Sequence, residues 1–375
     1  MPNFTPQDIE YMARAIKLAQ RGHYTTSPNP RVGCVIVNNG QIVGEGYHEK
    51  AGTPHAEVHA LRKAGELAKG ATAYVTLEPC SHFGRTPPCS QALIDREVAK
   101  VVIADVDPNP KVAGKGIAML QAAGIETEIG LLREEAATLN QGFLYLMRNK
   151  RPFVRCKLAA SLDGKTAMAS GESKWITGAE ARQEVQRLRA QSCAVITGAD
   201  TVLIDNAKLN VRYQELGELT QTYKEEALRQ PVRVVIDGQQ RITPELAMFD
   251  EHSPVILLRS TVENSQDWPH FVTQVAIETQ DGKIDLAKAL EYLGKQGYND
   301  VLIEAGQHLA GAFIEQDLVN ELVLFQAPKL MGSDSRSLCA MPDVTSLSRA
   351  KSLSISDITM VGSDIKITAS FKENK

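Results

Sequence analysis

Apolar positions along the chain alternate between two spacings. After Thr5-Pro6, the residues Ile9, Met12, Ala13 and Ile16 fall on one helical face. Thr5 is placed to cap that helix, Pro6 occupies its first turn, and Gly22 closes it. Residues 32–37 and 41–47 form apolar-rich runs on either side of Asn38-Asn39-Gly40, a strong hairpin-turn signal. The pattern then predicts a helix over 55–69, a buried strand over 71–77 and a helix from just after Cys89 as far as Val98. A strand over 101–106, a helix over 117–123, a strand over 125–129 and a helix over 133–147 follow.

The basic, proline-terminated stretch Arg148-Asn149-Lys150-Arg151-Pro152 marks a boundary between residues 1–148 and 149–375. Beyond it a strand is expected over 152–162, and Thr177-Gly178-Ala179-Glu180 reads as a capping box opening a helix to Ala190. Strands are expected over 194–197, 232–237, 255–258 and 301–304, with a helix over 284–296 among them. A strand over 321–326 and a hairpin through 355–371 end the chain, while 214–230 reads as a polar surface loop. Strands alternating with helices predict an α/β protein whose helices cover the sheets.

Size supports the division, because 375 residues exceed the roughly 250 to 300 at which single cores stop growing. A hydrophobic fraction of 43% and a charged fraction of 23% are those of an ordinary globular chain. The net charge of −4 argues against a broad face for nucleic acid and favours small substrates. Residues 1–10 lack a basic start followed by an apolar stretch, and no apolar run reaches the roughly 18 residues of a membrane span. A cytoplasmic location and no membrane partner are expected. Six scattered cysteines fit a reducing compartment, and Cys34, Cys156, Cys193 and Cys339 read as small core residues.

The remaining cysteines carry chemistry. His55-Ala56-Glu57, Pro79-Cys80 and Cys89 supply one imidazole and two thiolates, three of the four positions zinc usually fills, leaving one for water. Glu57 is not needed as a ligand and is free to move protons. His55 and Glu57 sit at an expected helix start and Cys80 just past an expected strand end, where α/β folds place their sites. Zinc deaminases carry H-x-E with P-C-x-x-C, in which the glutamate is the general acid and base. Here eight residues, Ser81 to Pro88, separate the two cysteines rather than two.

That departure is itself distinctive. The run Glu78-Pro79-Cys80-Ser81-His82-Phe83-Gly84-Arg85-Thr86-Pro87-Pro88-Cys89, with Pro28-Asn29-Pro30-Arg31-Val32-Gly33-Cys34-Val35 upstream, strongly resembles the bifunctional pyrimidine deaminase and reductase family of riboflavin biosynthesis. The resemblance implies a cytidine-deaminase-like domain followed by a dihydrofolate-reductase-like α/β domain. It also implies zinc on His55, Cys80 and Cys89, Glu57 as proton carrier, and Asn29, His82 and Arg85 around the pocket. A phosphoribosylated diaminopyrimidinone would lose its exocyclic amine in the first domain, and NADPH would reduce the ribose to ribityl in the second.

In the second half, Glu304-Ala305-Gly306-Gln307-His308-Leu309-Ala310-Gly311-Ala312 follows an apolar strand and opens a helix. By residue type alone this is an anion-binding turn, since it lacks the Lys-Ser/Thr pair of a Walker loop and the full G-x-G-x-x-G fingerprint. The segments Lys157-Leu158-Ala159-Ala160-Ser161-Leu162-Asp163-Gly164 and Gly171-Glu172-Ser173-Lys174-Trp175 extend the resemblance to the family's reductase half. Carried over by position, it implies that Ala159, Trp175, Thr201, Asp205, Gly306, Gln307, His308, Leu309, Ala310, Gly311 and Ala312 face the nucleotide. Ser173, Arg189, Leu209, Arg212 and Glu304 would face the substrate, with Lys157 near the ribose. Arg189 and Arg212 have the fork geometry to grip a phosphate. Where the family usually has Asp-Asp-Pro, this chain has Asp205-Asn206-Ala207, which alters the loop before Leu209. A homo-oligomeric state is expected alongside.

Other readings remain open from the sequence. His55, Cys80 and Cys89 could be a core histidine and two buried thiols, or a closed structural zinc site with His59 or His82 as fourth ligand, giving an interaction module rather than an enzyme. A single-activity cytosine or transfer-RNA adenosine deaminase would need no NADPH-using half and would call for a basic nucleic-acid patch.

Overall fold

In the computed structural model, which describes residues 4–82, 87–110, 112–262 and 267–372, the chain divides into two compact units, Met1–Asn149 and Lys150–Lys375. The first unit opens with α1 (Pro6–Ala19), whose start is a reciprocal cap. Thr5 Oγ1 accepts the Asp8 N–H at 3.2 Å, and the Asp8 carboxylate accepts the Thr5 N–H at 2.8 Å. Strands β1 (Gly33–Asn38) and β2 (Gln41–Tyr47) follow, joined at Asn39 and Gly40 with φ of 50° and 75°. Two consecutive left-handed residues match the twist of an antiparallel hairpin.

The unit continues through α2 (Ala56–Ala64), β3 (Thr72–Val75), α3 (Cys89–Asp95), β4 (Lys100–Ile103), α4 (Lys115–Ala122), β5 (Glu126–Ile129), α5 (Arg133–Leu139) and α6 (Gln141–Asn149). The sheet order is β2-β1-β3-β4-β5, antiparallel from β2 to β3 and parallel from β3 to β5. Alternate strand residues feed two cores. Cys34, Ile36, Ala73, Val75, Val101 and Ile103 pack under α2, α3 and α4, whereas Val35, Val37, Tyr74 and Val102 pack under α1 and α5.

The helix expected over 133–147 is two helices, because Asn140 is diverted from it. Its Oδ1 accepts the Arg31 N–H at 2.8 Å and its Nδ2 donates to the Arg31 carbonyl at 2.9 Å. A side-chain amide that mimics a strand partner for Arg31 competes with helical geometry and breaks the run.

The second unit comprises β6 (Phe153–Ser161), β7 (Lys165–Ala167), α7 (Ala179–Gln191), β8 (Ala194–Gly198), α8 (Ala199–Asp205), α9 (Leu219–Thr222), β9 (Val232–Ile236), β10 (Val255–Arg259), β11 (Val272–Ala276), β12 (Thr279–Gln280), β13 (Lys283–Ile284), α10 (Leu286–Lys295), β14 (Asp300–Glu304), α11 (Gln307–Glu315), β15 (Glu321–Ala327), β16 (Arg336–Ser337), β17 (Leu353–Val361) and β18 (Asp364–Phe371). Its large sheet runs β11-β10-β9-β8-β14-β6-β15-β18-β17, parallel from β11 through β15 and closed by the antiparallel hairpin β18-β17. Helices α10 and α11 cover one face, and α7 and α8 the other.

Two expectations change here. Thr177 does not cap α7; Gly178 is the capping residue, and its N–H donates at 2.6 Å to the carboxylate of buried Asp364, on β18. A long-range carboxylate thus replaces the local box. Cys339 is half-buried, while Cys34, Cys156 and Cys193 are core residues as expected. Among the described residues no helix is long and apolar enough to cross a membrane.

Helix α1 rests directly on the start of β1, where a Cβ on Gly33 would lie 1.9 Å from the Ala15 carbonyl oxygen. Gly33→Ala is therefore expected to destabilise the first unit by about 1–3 kcal/mol through forced separation of helix and strand, read as a lower denaturation midpoint for that unit.

Candidate active sites

In the first unit, two helix starts and one strand end converge. His55 is the capping residue of α2, Glu57 lies in that helix's first turn, Cys80 follows β3, and Cys89 is the first residue of α3 behind Pro88. The donor atoms of His55, Cys80 and Cys89 lie within 4.8 Å of one another, and among the described residues this is the metal-holding cluster. His55 Nδ1 is 3.6 Å from Cys80 Sγ and 3.3 Å from Cys89 Sγ. Tetrahedral zinc with ordinary Zn–S and Zn–N bonds would separate a nitrogen from a sulfur by about 3.6 Å, so the donor set fits that ion.

The three donors perturb one another strongly. The Cys80 thiol is held below its ordinary range by hydrogen bonding from Cys89 and then His55, with the Cys89 N–H donating to its sulfur at 3.2 Å. Its neighbour Cys89 is pushed up, first by Cys80 and then by burial. The hydrogen bond to Cys80 raises His55 to about 9. Burial raises Glu57, which is 2% exposed, and its Oε2 has no hydrogen-bond partner among the described residues. An unsatisfied buried carboxylate oxygen beside three metal donors is a costly feature unless a ligand or water meets it.

His48 and Asp107, which the sequence pattern does not single out, stand near this cluster. The His48 ring lies edge-on to His55 with centroids 5.2 Å apart. Burial lowers His48 to about 4, so the ring is neutral at pH 7. The Pro54 carbonyl, 3.2 Å from Nδ1, can only accept, which puts the ring proton on Nδ1 and leaves Nε2 to accept from Asn29 Nδ2 at 3.2 Å. Asp107 is raised to about 6 by burial, with the charges of Glu78 and Cys80 adding to the effect. A lone histidine after a strand offers no signal in sequence; Asp107 had one, its place just beyond a predicted strand end.

His59 and His82 lie outside the donor cluster. His59 is half-buried beside Gly46, and His82 is exposed. Arg85 falls outside the described residues.

In the second unit most of the expected residues, though not Arg212, lie on or just after the C-terminal ends of the central parallel strands, the usual ligand-binding edge of such sheets. Glu304 ends β14 and pairs in register with Lys157 on β6, where Ala159 lies two residues further. Gly306 caps α11, so Gln307, His308, Leu309, Ala310, Gly311 and Ala312 form its first turns. Leu309 reaches the end of β8, where a Cβ on Gly198 would lie 3.3 Å from it. Thr201 and Asp205 lie on α8, and Lys174 Nζ donates to the Asp205 carbonyl at 3.4 Å. Trp175 is 63% exposed, stacks with Arg182 at 4.7 Å, and receives Lys329 Nζ on its carbonyl at 2.8 Å. Ser173, two residues before Trp175, is half-buried. Lys329 is a neighbour of this loop that sequence reasoning did not select.

Two expected substrate residues bind each other. The Arg189 guanidinium forks onto the Glu304 carboxylate at 2.6 and 3.0 Å, and its Nη1 donates to the Asn210 carbonyl at 2.9 Å. Burial opposes charge on Glu304, but Arg189 outweighs it and holds the carboxyl below its usual range. Burial also lowers Lys157, against the pull of Glu304. Arg212 instead lies at the surface, forked onto Glu215 at 2.5 and 2.7 Å. The altered loop has a simple geometry: Asn206 closes α8 in the left-handed region at φ 49°, which asparagine tolerates, and Leu209 is buried at φ 56°.

The family model described as cytidine and deoxycytidylate deaminase zinc-binding region matches residues 5–105, and the one described as RibD C-terminal domain matches residues 152–367. The chain belongs to the RibD family. It is 55% identical over 360 residues to riboflavin biosynthesis protein RibD of Escherichia coli K12, covering 96% of this chain and 98% of that one. Identity to the Haemophilus influenzae protein of the same name is 51% over 369 residues, covering 98% of each. The solved structure of Acinetobacter baumannii RibD matches with a TM-score of 0.89 at 46% identity, covering 98% of this chain and 99% of that one. A Thermotoga maritima diaminohydroxyphosphoribosylaminopyrimidine deaminase/5-amino-6-(5-phosphoribosylamino)uracil reductase matches with a TM-score of 0.84 at 32% identity and the same coverage. This RibD-family chain is a bifunctional enzyme of riboflavin biosynthesis, a zinc-dependent deaminase followed by an NADPH-dependent reductase. The reductase match overturns the single-activity deaminase reading, and membership of an enzyme family overturns the interaction-module reading.

Breaking the buried Arg189–Glu304 pair from one side leaves a carboxylate without its partner. Arg189→Ala is expected to cost the second unit about 3–5 kcal/mol, seen as a fall in its thermal midpoint, while the first unit keeps its own.

Proposed function

We propose that the first unit removes the exocyclic amine of a phosphoribosylated diaminopyrimidinone and that the second reduces the ribose of the product to a ribityl chain. The observation that carries the deaminase assignment is the donor triad within 4.8 Å, together with a buried Glu57 oxygen that has no hydrogen-bond partner among the described residues. In this reading His55, Cys80 and Cys89 hold zinc, which when bound supplies Lewis-acid activation of a water. Glu57, raised by burial, would carry a proton from the attacking water to the departing amine. The Asn29–His48 pair and Asp107 line the approach to the ring.

In the reductase, Ala159, Trp175, Thr201, Asp205 and the Gly306–Ala312 turn face NADPH. The start of α11 offers backbone N–H groups to the nucleotide phosphates. Ser173, Leu209 and Arg212 face the substrate, with Arg212 turning from Glu215 to its phosphate. Arg189 and Glu304 act as a preformed pair that orients the ribose, with Lys157 beside them. Hydride transfer belongs to the cofactor, so the chain's task is alignment. The domains divide between residues 148 and 149, and six cysteines scattered through a chain of this length suit a cytoplasmic setting.

The test is a stopped reaction with the pyrimidine, followed by mass. Ammonia loss is expected without NADPH, and gain of two hydrogens only after deamination. Glu57→Gln is expected to slow deamination by about 10²–10⁴-fold while supplied intermediate is reduced at the normal rate; equal loss of both steps defeats the division of labour. Chelation should abolish deamination with the far-UV signature of the first unit retained, whereas unfolding on metal removal would mark a structural ion.

We also propose that the chain acts as a homo-oligomer. Edge strand β17 exposes Leu353, Ile355, Ile358 and Met360, and its bulge between Ile355 and Asp357 brings these apolar residues onto one face. An open, apolar edge strand favours pairing with a second copy. Sedimentation should give an oligomer for the native chain and a monomer for Ile358→Lys with Met360→Lys.

A further inference from the structure

Glu78 precedes Pro79-Cys80 and is 4% exposed, yet its carboxylate accepts four backbone N–H groups. Oε2 takes those of Asp107 at 3.3 Å and Gly114 at 3.0 Å; Oε1 takes those of Gly116 at 3.0 Å and Ile117 at 3.3 Å. The Glu78 N–H in turn donates to the Asp105 carbonyl at 2.9 Å. Three of the four donors belong to the start of α4, where N–H groups have no partner within the helix and negative charge is favoured.

The same helix start touches the Cys80 loop backbone to backbone. A Cβ on Gly116 would stand 2.0 Å from the Pro79 carbonyl oxygen. From the other side, the Cys80 carbonyl accepts the Ser90 N–H at 3.2 Å and the Ser90 hydroxyl at 2.9 Å, and Ser90 lies on α3. Cys80 is therefore gripped between two helices, and the Glu78 carboxylate ties α4 to Asp107 within this grip.

We propose that Glu78 is a positioning residue of the deaminase: its carboxylate bolts the start of α4 and the Asp107 backbone to the Cys80 loop, fixing the sulfur at the distance zinc requires. This rests on Cys80 being a zinc ligand. Groups that orient metal ligands without touching the ion characteristically change metal affinity by about 10–100-fold when removed.

The test uses the full-length zinc-loaded enzyme. In Glu78→Gln an amide nitrogen must face one pair of N–H groups, so at least that pair of bonds is lost. The expected result is folded, reductase-active protein that yields zinc to a competing chelator at least about tenfold faster than the native chain, with deaminase kcat/KM falling in parallel. Glu78→Asp, which keeps the charge but is shorter, is expected to recover part of the zinc retention. Cys80→Ser is measured beside them: if it holds zinc as the native chain does, the ligand assignment fails independently of Glu78. Native zinc retention in folded Glu78→Gln overturns the proposal. Loss of the first unit's melting transition in both Glu78 variants also overturns it, since Glu78 would then determine the fold and nothing finer.

Discussion

Two thiols and an imidazole must meet within a few ångströms although they arrive on three separate segments, and the first unit is organised around that meeting. Burying such groups is unfavourable unless each finds a partner. The structure satisfies them with one another and with the Cys89 N–H, so the cluster exists as a polar knot at the end of β3 before any ion is considered. Helices α2 and α3 both begin at this knot, and their free N–H groups make their starts favourable places for thiolate and carboxylate. Glu57 shares the knot without being one of its donors, which leaves a buried carboxylate oxygen aimed at chemistry rather than at structure.

The second unit solves a related problem with different groups. Its parallel strands end along one edge, and the loops leaving β6, β8, β14 and β15 bring distant segments together there. Glu304 and Arg189 are buried at this edge as a bidentate pair, an arrangement that offsets desolvation only when the geometry is good. Such a pair fixes the orientation of both side chains, while Trp175 and Arg212 are exposed. The Asn206 loop keeps its place because asparagine accepts the left-handed backbone that closes α8, and its Oδ1 also receives the Ala247 N–H at 3.3 Å.

Local signals were legible wherever one segment decides its own conformation. The Asn39-Gly40 turn, the Thr5–Asp8 cap and the alternating strands of both sheets are of this kind. Signals failed where a distant residue intervened. Asn140 leaves its helix for Arg31, Asp364 replaces a capping box that Thr177 and Glu180 spell out, and β11 is too mixed in burial to read as a strand without β10 beside it.

By itself, the sequence determined the chemical inventory: which residues can bind a soft cation and which carboxylate stands two positions from the histidine. Residue type and short spacing suffice for that, because ligand chemistry and turn geometry are local properties. Only the tertiary structure decided the distances among His55, Cys80 and Cys89, the proton on His48, the pairing of Arg189 with Glu304 and the four-bond grip of Glu78. Each depends on burial and on partners far along the chain, and neither is written in the neighbourhood of the residue it governs.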